Sequence, residues 1–271
     1  MEPDEIMDGS PVIRLHDSAA DVEPFLRAIF DSSYFMPPPS EISFHAVLGI
    51  LRLSHKYDVG YLHKRALLHL ETVYVVDITG VELENNGLDY TSADIHWDLD
   101  AIPILREVGA LWLLPAACYN VGTFWLGLGG ELASDASEWA TFAALPSQLG
   151  QVCASMPAVH KDNTERLYRA LTFPSSCASA DACNLEKFQF LSARTSPSDG
   201  LYQDPLQIFY GNWSSEREGL LRGGGICSVC SRKAEEQYAA TRAKIWAELP
   251  KKCGLEDWDV LKEQRRVALE G

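Results

Sequence analysis

Residues 44–70 contain two apolar helical patterns in direct succession, and this stretch constrains the fold more than any other part of the chain. The apolar positions of the first pattern recur close to helical spacing and are Phe44, Val47, Leu48, Leu51 and Leu53. Those of the second pattern are Tyr61, Leu62, Leu67, Leu68 and Leu70. We expect Gly60 to end the first helix, because glycine adopts the left-handed backbone conformation at little cost. The sequence therefore predicts a helical hairpin with facing apolar surfaces. The side chains expected inside it are Leu51, Tyr57, Leu62 and Leu70.

The hairpin sequence resembles the BTB (POZ) domain, in which an apolar helix ending in a Lys-Tyr or similar pair precedes a helix with Leu and a small residue. The residues at corresponding positions are Leu51, Leu53, His55, Lys56, Tyr57, Val59, Leu62, Ala66 and Leu70. Residues 21–35 resemble the preceding BTB helix and the extended segment after it, and residues 11–15 resemble the strand before that. Residues 110–119 and 244–250 are similar to the large BTB-containing family of mushroom-forming (basidiomycete) fungi.

The BTB resemblance implies a protein–protein interaction module. In many family members it implies an adaptor that recruits a cullin scaffold and presents a substrate for ubiquitylation, and in others a transcription-related scaffold. The chain opens with MEPDEIMDGS and enters the BTB fold near its middle, so the resemblance implies an N-terminally truncated domain. The strand hairpin and two helices that would precede it carry much of the family's dimer contact. We therefore expect no dimer through the standard BTB interface.

The rest of the chain predicts helices, and the fold class is mainly α with a small residual β part. Strands are expected at residues 11–15, with a β-branched run at 73–78. The predicted helices after the hairpin cover residues 98–121, 137–154 with Ser137 as cap, 157–173, a long helix starting near Ser231, and 255–269 through Trp258, Val260 and Leu261. The predicted organisation is a partial BTB-like domain at 9–78, an acidic linker at 79–97, a helical region at 98–175, and a helical region with a cysteine cluster at 176–271.

Composition excludes several classes of partner. The formal net charge of -15 argues against nucleic acid, because phosphate binding needs a concentrated basic surface. The basic pairs Lys251-Lys252 and Arg265-Arg266 are short and flanked by acidic residues, which is typical of a solvated helix surface. The first ten residues do not form a secretory signal, and Pro115 and several glycines interrupt the uncharged stretch at residues 109–130. We expect a soluble protein of the cytoplasm, the nucleus or both, without membrane contact.

Four of the seven cysteines have spacing compatible with metal ligands. Cys177 and Cys183 are separated by five residues, and Cys227 and Cys230 by two, directly after three glycines that permit a sharp turn. A following helix would place the second pair beside backbone N–H groups, which favours thiolates and metal binding. Two interpretations stay open: one structural zinc bound by all four, or four separate half-buried cysteines in a helical core. Cys118, Cys153 and Cys253 are expected to be buried small hydrophobes.

The chain contains no Walker loop, G-x-S-x-G elbow, H-E-x-x-H motif or Rossmann fingerprint, and we expect no enzyme. His55, His63, His69 and His160 are expected on exposed helix faces. The competing hypothesis is a zinc-dependent or thiol-based enzyme built on the C-terminal cysteines. A closed site of four protein ligands would favour the structural role, and a reactive thiolate at Cys227 or Cys230 would favour the enzyme.

Overall fold

The structure is a computed structural model that describes residues 6–7, 10–11, 15–78, 88–89, 95–127, 140, 142–193, 206 and 226–270. The strands are β1 (Ile6–Met7), β2 (Ser10–Pro11), β3 (Ile42–Ser43) and β4 (Leu88–Asp89). The helices are α1 (Ala19–Phe30), α2 (Phe44–Lys56), α3 (Gly60–Leu70), α4 (Ile95–Glu107), α5 (Leu114–Gly127), α6 (Ser147–Leu171), α7 (Ala180–Ala193), α8 (Ser228–Lys252) and α9 (Trp258–Glu270). This confirms the prediction of a mainly α fold.

The predicted hairpin is formed by α2 and α3. Ser43 caps α2, since its Oγ accepts a hydrogen bond from the backbone N–H of Ala46 at 3.3 Å. The side chains of Leu51, Leu62 and Leu70 are fully buried, as predicted. The prediction for Tyr57 is wrong, because 42% of this residue is exposed. Its ring stacks beside Phe25, and its hydroxyl donates to the Asp17 carboxylate at the surface.

The turn between α2 and α3 is made by Asp58 and not by Gly60. Asp58 has a φ of 55°, in the left-handed region that aspartate tolerates better than most residues. The N–H of Val59 donates to the Ser54 carbonyl at 2.8 Å, which gives the hydrogen-bond pattern of a Schellman motif. Gly60 is the first residue of α3. The expectation that Gly60 ends the first helix is therefore wrong.

The small β part is present, but it lies mostly outside the predicted segments. β1 and β2 pair antiparallel, and β3 and β4 pair parallel. Of the predicted strand at 11–15, Pro11 lies in β2, Leu15 is not in a strand, and residues 12–14 lie outside the described residues. Residues 73–78 form turns and bends. Their backbone accepts hydrogen bonds from α8, including one from Trp246 Nε1 to the Val76 carbonyl at 3.3 Å.

The predicted linker is helical at its end. Residues 79–87 and 90–94 lie outside the described part of the chain, whereas α4 begins at Ile95, before the expected Asp98. Trp97 of α4 stacks on Phe44 of α2 with 5.3 Å between the ring centroids. A main hydrophobic core runs from α1 to α9 across the predicted boundaries. The division into the four predicted regions stays a prediction.

In the uncharged stretch at residues 109–130, the described residues 109–127 contain a short 3-10 helix and α5. A φ of 74° at Gly109 ends α4, a short 3-10 helix follows at Leu111–Leu113, and α5 then begins with Pro115 in its first turn. Residues 128–130 lie outside the description. In the described ranges, no helix combines the length and the apolar character that crossing a bilayer requires.

The helices predicted at 137–154 and 157–173 are divided differently: residues 142–144 are helical, the helix is interrupted at Leu145 and Pro146, and one long helix then follows. α6 runs from Ser147 to Leu171 with Pro157 in its interior. Pro157 removes one backbone donor, yet Cys153, Met156 and His160 continue a single buried face across it. Ser137, the expected cap, and Trp139 lie outside the described residues.

Two histidines expected on exposed faces are buried. His69 Nε2 donates to the Met36 carbonyl at 2.7 Å. His160 Nδ1 donates to the Met156 carbonyl at 2.9 Å, and Nε2 accepts from the Thr123 hydroxyl at 3.0 Å. Burial lowers the pKa of His160 to about 4, so its imidazole is neutral near pH 7. The Met36 carbonyl lies 33 residues before His69, and the Thr123 hydroxyl lies 37 residues before His160, so partners distant in sequence allow both rings to occupy the interior.

The last helix packs back onto the hairpin through a charged contact. Arg265 of α9 binds the Glu71 carboxylate with two hydrogen bonds of 2.6 and 2.8 Å, and Trp112 Nε1 donates to the same carboxylate at 3.0 Å. The Arg265 side chain is 39% exposed, so it lies at the helix surface as expected but also forms a tertiary contact. In the same helix, Trp258 and Leu261 are buried, whereas Val260 is 42% exposed.

Replacing Leu51 by alanine tests the hairpin core. Leu51 is fully buried, so we expect Leu51→Ala to lower the free energy of unfolding by roughly 2–5 kcal/mol. Leu68→Ala is the matched control, because Leu68 lies on α3 and is 41% exposed. Urea denaturation followed by circular dichroism measures both. Equal, small effects of the two substitutions would contradict the packing of the hairpin.

Candidate metal centre

Four cysteines from three separate segments meet in the C-terminal half of the chain. Cys177 lies in the connection between α6 and α7, Cys183 lies on α7, and Cys227 and Cys230 lie at the start of α8. The potential ligand sulfurs all lie within 4.8 Å of one another. The Sγ atoms of Cys177 and Cys183 are 3.6 Å apart. Two cysteines separated by five residues do not share one helix face, and the non-helical connection brings Cys177 back toward Cys183.

Cys183 is positioned by a helix that the sequence did not predict. α7 begins at Ala180, and the N–H of Cys183 donates to the Ser179 carbonyl at 3.0 Å in the first turn. The side chains of Leu185 and Phe188 point outward and are 56% and 67% exposed, whereas Lys187 is 6% exposed. Among the described side chains of α7, the buried ones are not the large apolar ones, so hydrophobic periodicity did not signal this helix.

The second pair lies at a helix N-terminus, three residues earlier than expected. The backbone of Cys227 is extended, and its carbonyl accepts from the N–H of Ser231 at 2.9 Å as the first hydrogen bond of α8. α8 therefore begins at Ser228 and not at Ser231, which places Cys230 in its first turn. The N–H groups of Cys227 and Cys230 act on the Cys183 and Cys227 sulfurs, respectively, and favour negative charge there.

Burial divides the four cysteines into two classes. Cys183 and Cys230 are 1% and 2% exposed, while Cys177 and Cys227 are half-buried at the edge of the cluster. Ile226 completes a small apolar group around the sulfurs. All four cysteines are free thiols in this structure.

The thiols differ in acidity because their surroundings differ. The backbone N–H of Cys230 lowers the pKa of Cys227 to about 7, and the neighbouring thiols act in the same direction. For Cys183, the N–H of Cys227 favours the thiolate at 3.4 Å, but burial and the other thiols outweigh it and raise the pKa to about 12. Burial raises the pKa of Cys230. Without a metal, Cys227 is therefore the more acidic of these three thiols.

Cationic and polar groups surround the cluster. Lys187 lies one helical turn after Cys183, and its Nζ is 3.9 Å from the centroid of the Phe173 ring. The same ammonium donates to the Phe173 carbonyl. Lys233, on the first turns of α8, approaches this ring at 4.6 Å.

Ser175 contributes an unsatisfied hydroxyl next to Cys230. Its N–H donates to Asn184 Oδ1 at 2.9 Å, which fixes the backbone near α7. Its Oγ is buried and has no hydrogen-bond partner among the described residues. This hydroxyl lies close enough to the Cys230 sulfur to lower its pKa against the larger effect of burial. A metal-bound thiolate at Cys230 would accept the hydroxyl hydrogen, which a neutral thiol does poorly.

The geometry is compatible with a tetrahedral metal site. Four sulfurs at about 2.3 Å from a central zinc lie roughly 3.8 Å apart. The observed Cys177–Cys183 separation of 3.6 Å agrees with this value, and the upper bound of 4.8 Å requires a contraction of at most about 1 Å. Four cysteine sulfurs fill a tetrahedral coordination sphere, so no position is left for a substrate. The four thiols could therefore hold one metal ion in a closed site.

The other three cysteines do not form such a site. Cys118, Cys153 and Cys253 are at most 5% exposed, which confirms the expectation of buried small hydrophobes. The Cys118 thiol and burial raise the pKa of Cys153 well above its usual value, so this thiol is neutral near pH 7. Within the described residues, the cluster of Cys177, Cys183, Cys227 and Cys230 is the only group of three or more candidate ligands with the geometry to hold a metal ion.

Comparison with protein-family models, curated proteins and solved structures finds no match to this chain. The BTB resemblance and the partners that it implies therefore stay predictions.

The order in which the thiols react tests the electrostatics of the cluster. In reduced, chelator-treated protein, we expect iodoacetamide to modify Cys227 before Cys183 and Cys230, because Cys227 is half-buried and has a pKa of about 7. The rate at Cys227 should rise between about pH 5 and 9 with its midpoint near pH 7. Peptide mass spectrometry at several pH values measures this. Earlier modification of Cys183 or Cys230 would contradict the assignment.

Proposed function

We propose that the chain is a protein-interaction module whose C-terminal half is held together by one structural zinc ion. Cys177, Cys183, Cys227 and Cys230 would be the ligands. The observation that carries the zinc proposal is the convergence of these four thiols from three segments to within 4.8 Å of one another. Zinc suits such a set, because it prefers four tetrahedral ligands and binds thiolates strongly.

The closed ligand set supports a structural role over a catalytic one. A catalytic zinc keeps a coordination position for water or substrate, whereas four cysteines occupy every position. The metal would join the connection after α6 to the N-terminus of α8, and its binding free energy would then contribute to folding. The acidic Cys227 thiol is the feature that favours the competing thiol-enzyme hypothesis. In the zinc-bound protein, that acidity serves metal binding.

Two features support an interaction module. The first is the resemblance of residues 11–70 to the BTB domain. The second is a set of exposed apolar side chains on the outer face of α1. Leu26 and Ile29 are each 39% exposed, and Phe30 is 84% exposed. Such side chains grouped on one helix are typical of protein contacts. The partner class that the resemblance implies is a cullin-type scaffold, with the helices after Asp98 presenting a substrate.

Metal analysis tests the zinc site directly. We expect protein purified without chelator to contain one zinc per chain by plasma mass spectrometry, and Cys183→Ala to abolish it. Cys253→Ala is the matched control, because this buried cysteine lies at the other end of α8 and should leave the zinc bound. Chelation should increase hydrogen exchange around α7 and the start of α8 while sparing α2 and α3. Absence of zinc from the unmodified chain would refute the proposal.

Titration with a purified cullin N-terminal domain tests the partner class. We expect binding in isothermal calorimetry and at least a tenfold loss, about 1.4 kcal/mol, on Phe30→Asp. Val267→Asp is the control, because Val267 is 57% exposed on α9 and lies outside α1. If the unmodified, zinc-containing chain does not bind, the adaptor role is wrong while the zinc site stands.

A further inference from the structure

Lys187 is a buried cation without a carboxylate partner in the described part of the chain. It is 6% exposed and lies on α7 four residues after Cys183, so the two side chains share one face of the helix. Burial lowers the pKa of its ammonium and Lys233 acts in the same direction, whereas negative charge on Cys230, Cys183 or Cys177 opposes this. A buried ammonium is costly unless an opposite charge lies close to it. The cysteine cluster is therefore the counter-charge that the surroundings of Lys187 provide.

The cysteine cluster carries a negative charge that balances the Lys187 ammonium only when a metal is bound. Four neutral thiols offer Lys187 no negative charge, whereas a zinc ion with four thiolates carries a net charge of about minus two. The lysine then neutralises one of these charges in a region that water hardly reaches. The ring and the carbonyl of Phe173 both bind the Lys187 ammonium, and these contacts hold the charge in the interior.

We infer that Lys187 is a positioning residue of the metal centre, and that its buried positive charge strengthens metal binding and protects the sulfurs from electrophiles. This inference rests on the zinc site proposed above. The sulfurs of a dianionic zinc–thiolate centre are nucleophilic, and a nearby cation lowers the electron density that they offer to an attacking reagent. Cys177 and Cys227, at the half-buried edge, are the sulfurs that such a reagent meets first. The positive charge of Lys187 thus raises the affinity of the centre for the metal and lowers the reactivity of its sulfurs.

Three variants of the full chain test this role. Lys187→Met removes the charge at nearly constant length, and Lys187→Arg keeps it. Lys233→Met removes an exposed lysine that approaches the same Phe173 ring at 4.6 Å. We expect Lys187→Met to weaken zinc binding about 10- to 100-fold in competition with a chromophoric chelator. Lys187→Arg should recover most of that affinity, and Lys233→Met should change it by less than about threefold.

Two further readouts separate a charge effect from a packing effect. With cobalt in place of zinc, the sulfur-to-cobalt charge-transfer band should move to longer wavelength in Lys187→Met, because electrons on the sulfurs are then less stabilised. Iodoacetamide should also modify the cysteines of zinc-loaded Lys187→Met faster than those of the zinc-loaded unmodified chain. Both changes should be absent in Lys187→Arg.

The outcomes distinguish this inference from the zinc proposal. If the unmodified chain binds no zinc, the proposed site itself is wrong, and this inference is wrong with it. If the unmodified chain binds zinc and Lys187→Met equals it in affinity, band position and alkylation rate, only the role of Lys187 is refuted. The same holds if both Lys187 variants lose affinity equally and the band does not move, because the side chain would then act through packing alone.

Discussion

Burial of apolar surface between α2 and α3 supplies the platform on which the other described elements depend. α1 packs against the outer side of α2, and α4 reaches the same helix through the stacked rings of Phe44 and Trp97. The end of α3 continues into Glu71, whose carboxylate receives Trp112 and Arg265. These contacts depend on the packed hairpin. An isolated α3 would not hold the Glu71 carboxylate in a fixed orientation for Trp112 and Arg265.

The cysteine region is stabilised by a different kind of interaction. Its apolar groups form two small clusters apart from the main core, one around Leu171 and Ala234 and one around Cys183, Ile226 and Cys230. Among the described residues, these clusters bury little apolar surface with which to order the connection between α6 and α7 and the start of α8. Coordinate bonds from four sulfurs would provide the cohesion that a larger core provides elsewhere in the chain. The four cysteines lie in segments that lack a regular pattern of apolar residues, which is where metal coordination would contribute most to stability.

The hairpin and the cysteine cluster were accessible from sequence, because each depends on a local pattern. Apolar spacing identifies α2 and α3, and the short spacing of Cys227 and Cys230 identifies the better half of the ligand set. The missed features depend on distant partners. His69 and His160 are buried because particular carbonyls face them, and α7 buries Cys183 and Lys187 while exposing Leu185 and Phe188. Asp58 takes the left-handed turn although Gly60 lies two residues away, which spacing alone does not decide.

The contact between Glu71 and Arg265 also bears on how the chain is made. The two residues are 194 positions apart, so the carboxylate leaves the ribosome long before its partner is synthesised. At roughly 5–20 residues per second, the interval is about 10–40 s, far longer than a helical hairpin needs to form. During this interval the hairpin exposes the end of α3 with a carboxylate not yet paired to Arg265. The ion pair can form only after α9 has been synthesised, so docking of the last helix onto the hairpin is a late step in the folding of the nascent chain.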